Sequence, residues 1–160
     1  MTDFDYPPSW DVSLEEALSS VEADLEDARG RVDKLEDDED ATNDALAEAY
    51  SRRQRLESNR DALEWAVQQF GEGARVSMTA FTATTRARTL DEIQRTAVGQ
   101  VGNEETRIWL LAAALDDAPW LDPGDDLADA YRITGELPPA LQDYLDDQLT
   151  DLNDLSEGNS

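Results

Sequence analysis

The chain has 160 residues, 38 of them acidic and 13 basic, for a formal net charge of −25. Cysteine and histidine are absent, and every cation is an arginine except Lys34. This composition excludes disulfides, thiolate nucleophiles, Cys/His zinc sites, histidine triads and histidine pH switches. It also opposes general nucleic-acid binding, which is driven by cations displacing counterions from phosphate.

Residues 1–10 carry Asp3, Asp5 and Pro7-Pro8 and read as an extended arm, not as a basic, apolar leader. From Leu14 the apolar spacing alternates four and three. Leu14, Leu18, Val21, Leu25, Ala28, Val32 and Leu35 form a heptad seam, continued in phase by Leu46, Ala49, Leu56, Leu63, Val67 and Phe70. Residues 11–70 are therefore expected to be a coiled coil, weakened where Glu39, Thr42, Arg53 and Arg60 occupy seam positions. Two geometries fit. One helix would run on the order of 90 Å at 1.5 Å per residue, or the segment Glu36 to Asn43 turns the chain into an antiparallel hairpin. The phase retained across that segment tilts the reading toward the single helix. Such a helix cannot bury its seam alone, so it implies a homo-oligomer or a helical partner protein.

Gly71-Glu72-Gly73 ends the coil. Val76, Met78 and Ala80 then alternate with polar residues, which predicts a short extended segment. One strand makes no sheet, so it must pair with another copy, a partner, or a piece such as Tyr6 to Val12. Thr89 is a candidate N-cap for Leu90 to Val98, with Glu92 completing a capping box. Further helices are expected over Glu104 to Leu115, Asp125 to Tyr131, and from Leu137-Pro138-Pro139 to about Leu155. Residues 74–155 thus read as a small helical domain with one short extended segment, and 156–160 as a disordered tail. The fold class is mainly α. Ile108, Trp109, Trp120, Tyr131, Leu141, Tyr144, Leu145 and Leu149 are the candidate core of this domain.

No catalytic, cofactor-binding or metal-binding residue is assigned. The aspartates at 116, 117, 122, 125, 126 and 129 offer oxygens to a hard cation, but their spacing does not match an EF-hand loop. A solvated loop with Asp125 capping a helix is the better reading. Gly71-Glu72-Gly73 lacks the lysine and the further glycines of a phosphate loop. The arginines at 52, 53, 55, 60, 86 and 88 read as partners for acids rather than for phosphates. Ile108 to Leu115, the longest apolar run, is far short of the ~20 residues that span a bilayer, so a soluble, intracellular protein without membrane contact is expected.

Excess Asp over Glu with almost no Lys points to molar salt. There the Debye length falls to about 3 Å and hydrated carboxylates keep a surface soluble. The charge is uneven: residues 73–111 sum to +1, whereas residues 112–160 sum to −12.

Over residues 76–156 the order of features resembles the tail assembly chaperones of long-tailed, siphovirus-like viruses. Their conserved part typically opens with Val-x-(aliphatic)-x-x-(Leu/Phe)-Thr, and Val76-Ser77-Met78-Thr79-Ala80-Phe81-Thr82 is similar. A helix ending in aliphatics and alanines before an Asp turn is matched by Arg107 to Asp117, followed by Trp120-Leu121. A last helix after a Leu-Pro break, ending in Leu-Asn-x-Leu-Ser, is matched by Leu137-Pro138-Pro139 and by Leu152-Asn153-Asp154-Leu155-Ser156. The turn at Asp117-Ala118-Pro119 lacks a glycine often found there, and a coiled coil ahead of Val76 is not usual for the family. The resemblance implies a non-enzymatic helper that coats the tape measure protein while the tail tube polymerises, here in the cytoplasm of a halophilic host and from a haloarchaeal virus or provirus. The partner-binding residues expected are Leu14, Leu18, Val21, Leu25, Val32 and Leu35 of the seam, with Trp109, Trp120 and Tyr144. The alternative is a structural coiled-coil component of a virion or other assembly.

Overall fold

The computed structural model describes residues 7–97 and 99–158, and the chain divides into two compact units. The first, Ser13–Gly73, holds helix α1 (Leu14–Asp37) and helix α2 (Asn43–Phe70). The two pack along their lengths. Glu15 N donates to Glu72 O, Arg29 pairs with Glu57, and the Tyr50 hydroxyl donates to Glu36 Oε1. The paired residue numbers sum to 86 or 87, which is the signature of an antiparallel hairpin. The single long helix is therefore corrected to two.

The break has a chemical cause. Asp38 caps α1, its backbone N–H donating to Leu35 O, while its carboxylate accepts from Asp40 N at 2.9 Å. Thr42 then accepts from Ala45 N at 3.1 Å and starts α2. Short polar side chains here satisfy backbone groups in non-helical conformations, the competition that makes Asp and Thr turn and cap residues. Ser13 starts α1 in the same manner by accepting from Glu16 N. At the far end Gly71 adopts φ +96°, a left-handed backbone that favours glycine.

The second unit joins the N-terminal segment through Val12 to the chain from Ala74 onward. Its sheet has the order β1 (Ser9–Ser13), β2 (Arg75–Thr79), β3 (Leu115–Asp117). At Ser9 and Trp10 the supposed arm is thus part of an edge strand, whereas Met1 to Tyr6 lie outside the described residues. Ala80 N donates to Pro8 O, and Arg75 pairs with Asp11, so β1 runs opposite to β2. Strand β3 is also antiparallel to β2, matching Ser77 to Asp117 and Met78 to Leu115 with a bulge between them. Val76, Met78 and Ala80 are buried as their alternation predicts.

Among the described residues, four helices complete this unit. Helix α3 (Ala83–Thr96) starts seven residues earlier than expected, because Thr82 and Thr85 form the capping box and Thr89 sits inside the helix. Helix α4 (Asn103–Ala114) runs into β3, and α5 (Leu127–Gly135) is capped by Asp126 rather than Asp125. Helix α6 (Pro139–Gly158) has proline at its first position, where a missing N–H costs nothing. It extends through most of the supposed tail, of which Asn159 and Ser160 lie outside the described residues. Gln142 joins α6 to the end of α5: its side-chain amide nitrogen donates to the carbonyls of Thr134, Gly135 and Leu137, each at 3.0 Å. Thr134 O also accepts from Leu137 N, so Gln142 adds to the bonds that close the last turn of α5 and fix the passage into α6.

Candidate protein-interaction surfaces

The expected contact residues are mostly committed to the chain's own interior. Leu14, Val21, Leu25 and Val32 are buried, while Leu18 and Leu35 are half-buried. Ala17 takes the buried position expected for Leu18. The hairpin supplies from α2 the apolar face that the single-helix reading required from another molecule: Ala49, Leu56, Ala62, Leu63 and Ala66 are all buried. The expectation of an exposed seam is corrected accordingly.

The aromatic face is likewise interior. Trp109 is buried and stacks on Tyr131, with ring centroids 3.9 Å apart and planes 4° from parallel. Tyr144 is buried and meets Trp10 edge-on at 6.2 Å. Trp120 is half-buried, with its indole nitrogen buried. Each of these rings contributes apolar area and ring geometry to the body's core, so they do not form one open face.

The seam arginines find local partners. The Arg53 guanidinium lies 5.2 Å from the centre of the Tyr50 ring, a cation–π contact. Tyr50 in turn donates to Glu36 at 2.7 Å, and this bond to a carboxylate raises the phenol's pKa. Arg60 pairs with Asp61.

What stays open in the body is a groove of about 280 Å³ between α3, α4 and α6. Phe81, Leu110 and Leu149 give it apolar walls, and Arg86, Arg107 and Asp146 give it charge. Local structure sets each of these. Phe81 sits where β2 passes into α3, and its N–H donates to Asn153 Oδ1 at 3.0 Å. Arg107 is held by Glu104, by Asp143 at 3.2 Å and by Asp146 at 3.5 Å. Partial burial pushes the Asp146 carboxyl upward from its ordinary pKa, and Arg107 draws it back only in part. Arg86 is exposed and has no carboxylate partner among the described residues. The groove therefore presents apolar walls beside Arg86, which has no carboxylate partner among the described residues.

A larger cavity of about 500 Å³ is lined by Asp116, Asp117, Asp122, Asp125 and Asp126 around Leu115 and Leu127. Several of these carboxylates already serve the fold. Asp116 accepts from the Thr79 hydroxyl, Asp125 from Asp122 N, and Asp126 from Asp129 N. Among the described residues no acidic cluster is arranged to hold a metal ion, and no helix is long and apolar enough to cross a membrane.

Sequence reasoning missed the groove because its walls come from positions more than sixty residues apart. The one available signal was the near-neutral, arginine-bearing stretch 73–111 of a strongly acidic chain, and the reading of Arg86 as a partner for acids finds no such partner among the described residues. Compared with protein-family models, curated proteins and solved structures, the chain matches none.

Proposed function

We propose that this chain is a non-enzymatic protein-binding helper of viral tail assembly. In this reading it shields the tape measure protein in the cytoplasm of a halophilic host while tube subunits polymerise around it. One observation carries the proposal. The stretch resembling tail assembly chaperones, residues 76–156, lies within one compact body, which adds only the N-terminal segment through Val12 to the chain from Ala74 onward, and the helical segment unusual for that family is the separate hairpin. The added segment thus leaves the resembling part whole. The physical logic is that of a holding protein. Long helices of a tape measure expose apolar seams until the tube encloses them, and a mixed polar–apolar groove on a highly charged, soluble body suits transient contact with such a helix.

The hairpin supports a second reading, a structural component built into a virion or another assembly, because a rigid helical pair is a common spacer. The two differ in stoichiometry. Mass spectrometry of purified particles should find the chain absent while it co-purifies with the tape measure protein from infected or expressing cells. Its presence in finished particles at a fixed ratio to tube subunits would refute the helper reading in favour of the structural one.

A further inference from the structure

Two large hydrophobic side chains are exposed among the described residues, Tyr50 and Leu155. Tyr50 is engaged by Glu36 and Arg53. Leu155 is not: it stands 59% exposed near the end of α6, with exposed Asp151 one turn before it and exposed Asp154 beside it. An apolar knob flanked by carboxylates complements a groove with an apolar floor and a free arginine, and the body carries both.

We propose that the groove receives the Leu155 end of α6 from a second copy of the chain, with Arg86 pairing to the incoming Asp151 or Asp154. Leu155 enters against Phe81, Leu110 and Leu149. In high salt the buried leucine carries the affinity and the charge pair sets orientation, since a contact pair at the groove mouth is screened but still directional. The geometry also decides the kind of assembly. At roughly 100° per residue, Leu155 lies about opposite the α6 positions that line the groove, Asp146, Leu149, Thr150 and Asn153. Knob and groove on opposite sides of one helix cannot meet through a single twofold contact. They join copies head to tail, which closes as a ring or grows as a filament. This goes beyond the helper reading: a tape-measure helix would compete with the second copy for the same groove, so the self-contact is tested on the chain alone, and its failure leaves the helper reading standing.

The test uses the purified full chain in molar KCl, followed by sedimentation velocity over a range of concentrations. The wild type is expected to form species larger than a dimer as concentration rises. Leu155→Asp removes the knob, and Thr150→Trp fills the groove from an exposed position. Each is expected to weaken association by at least about tenfold in Kd with an unchanged circular dichroism spectrum. Mixing the two variants restores one intact contact and is expected to give a dimer and nothing larger. Arg86→Asp is expected to weaken association, and combining it with Asp151→Arg and Asp154→Arg to recover it. A wild-type chain that stays monomeric throughout, variants that associate as the wild type does, or a mixture that stays monomeric would each overturn the proposal.

Discussion

Replacing Leu25 by alanine asks whether the heptad seam is satisfied inside one chain. Leu25 is 2% exposed on α1, and the hairpin register sets it level with buried Ala62 of α2, next to buried Leu63. The substitution removes three carbons, worth about 2.4 kcal/mol at roughly 0.8 kcal/mol per buried methylene. The incompletely collapsed cavity raises the cost to about 3 kcal/mol, within the range of about 2–5 kcal/mol seen for buried leucines. For a protein of this size each kcal/mol lowers Tm by roughly 2–4 °C, so a fall of about 6–12 °C is expected. Thermal unfolding by far-ultraviolet circular dichroism reads that change, and light scattering reads the mass in parallel. The intramolecular hairpin predicts a lower Tm at unchanged mass. A mass that drops while Tm holds would mean that the seam joins different molecules, and the hairpin argument would fail.

Other groups give equally direct tests. Gln142→Leu strips the shared donor from three carbonyls at the end of α5 and should cost about 1–3 kcal/mol in chemical denaturation; a neutral result would mean that water serves those carbonyls equally well. Thr134 is fully buried with no partner for its hydroxyl, so Thr134→Val should stabilise the protein by about 1 kcal/mol, and a loss of stability would contradict an unpaired hydroxyl. Asp146 has a carboxyl pKa raised from 3.8, first by burial. The folded state therefore holds its proton to higher pH than the unfolded chain does, and the stability this residue contributes falls as pH rises from 3.8 through its folded pKa. The difference in unfolding free energy between wild type and Asp146→Asn should fall with pH across that window, and a flat difference would remove the burial argument.

Much of the architecture was legible because it rests on periodicity. The alternation of Val76, Met78 and Ala80 announced β2, the Pro138-Pro139 break announced α6, and most seam residues of α1 are buried, with Ala17 in place of Leu18 and Leu35 half-buried. Where the reading failed, one local pattern supported two outcomes. Heptad phase survives the turn at 38–42 because phase counts residues and is blind to direction, so a hairpin and a rod share it. Thr89 with Glu92 has the spacing of a capping box, but Thr82 with Thr85 forms the box in the structure, and Thr89 bonds back to Thr85 O inside the helix. Strand β3 has three residues, too few for alternation to register. For the interaction surfaces the limit is different in kind. Periodicity shows that Leu25 and Trp109 must be covered, but only the tertiary fold shows that the same chain covers them. The groove of Phe81, Arg86 and Leu149 exists only once three helices converge.

The hairpin also changes how the sheet can be assembled in time. Strands β1 and β2 are neighbours although about sixty residues intervene, and closing a flexible loop of that length costs on the order of 3–4 kcal/mol in chain entropy. The bond from Glu15 N to Glu72 O, 3.1 Å long, shows that the folded hairpin already returns its two ends to one place. Its contacts lengthen in steps outward from the turn at 38–42, so each closes only a short additional loop. Once it has formed, β1 and β2 are delivered side by side and the remaining search is short. A hairpin weakened at Leu25 should therefore slow the refolding of a sheet that it does not belong to.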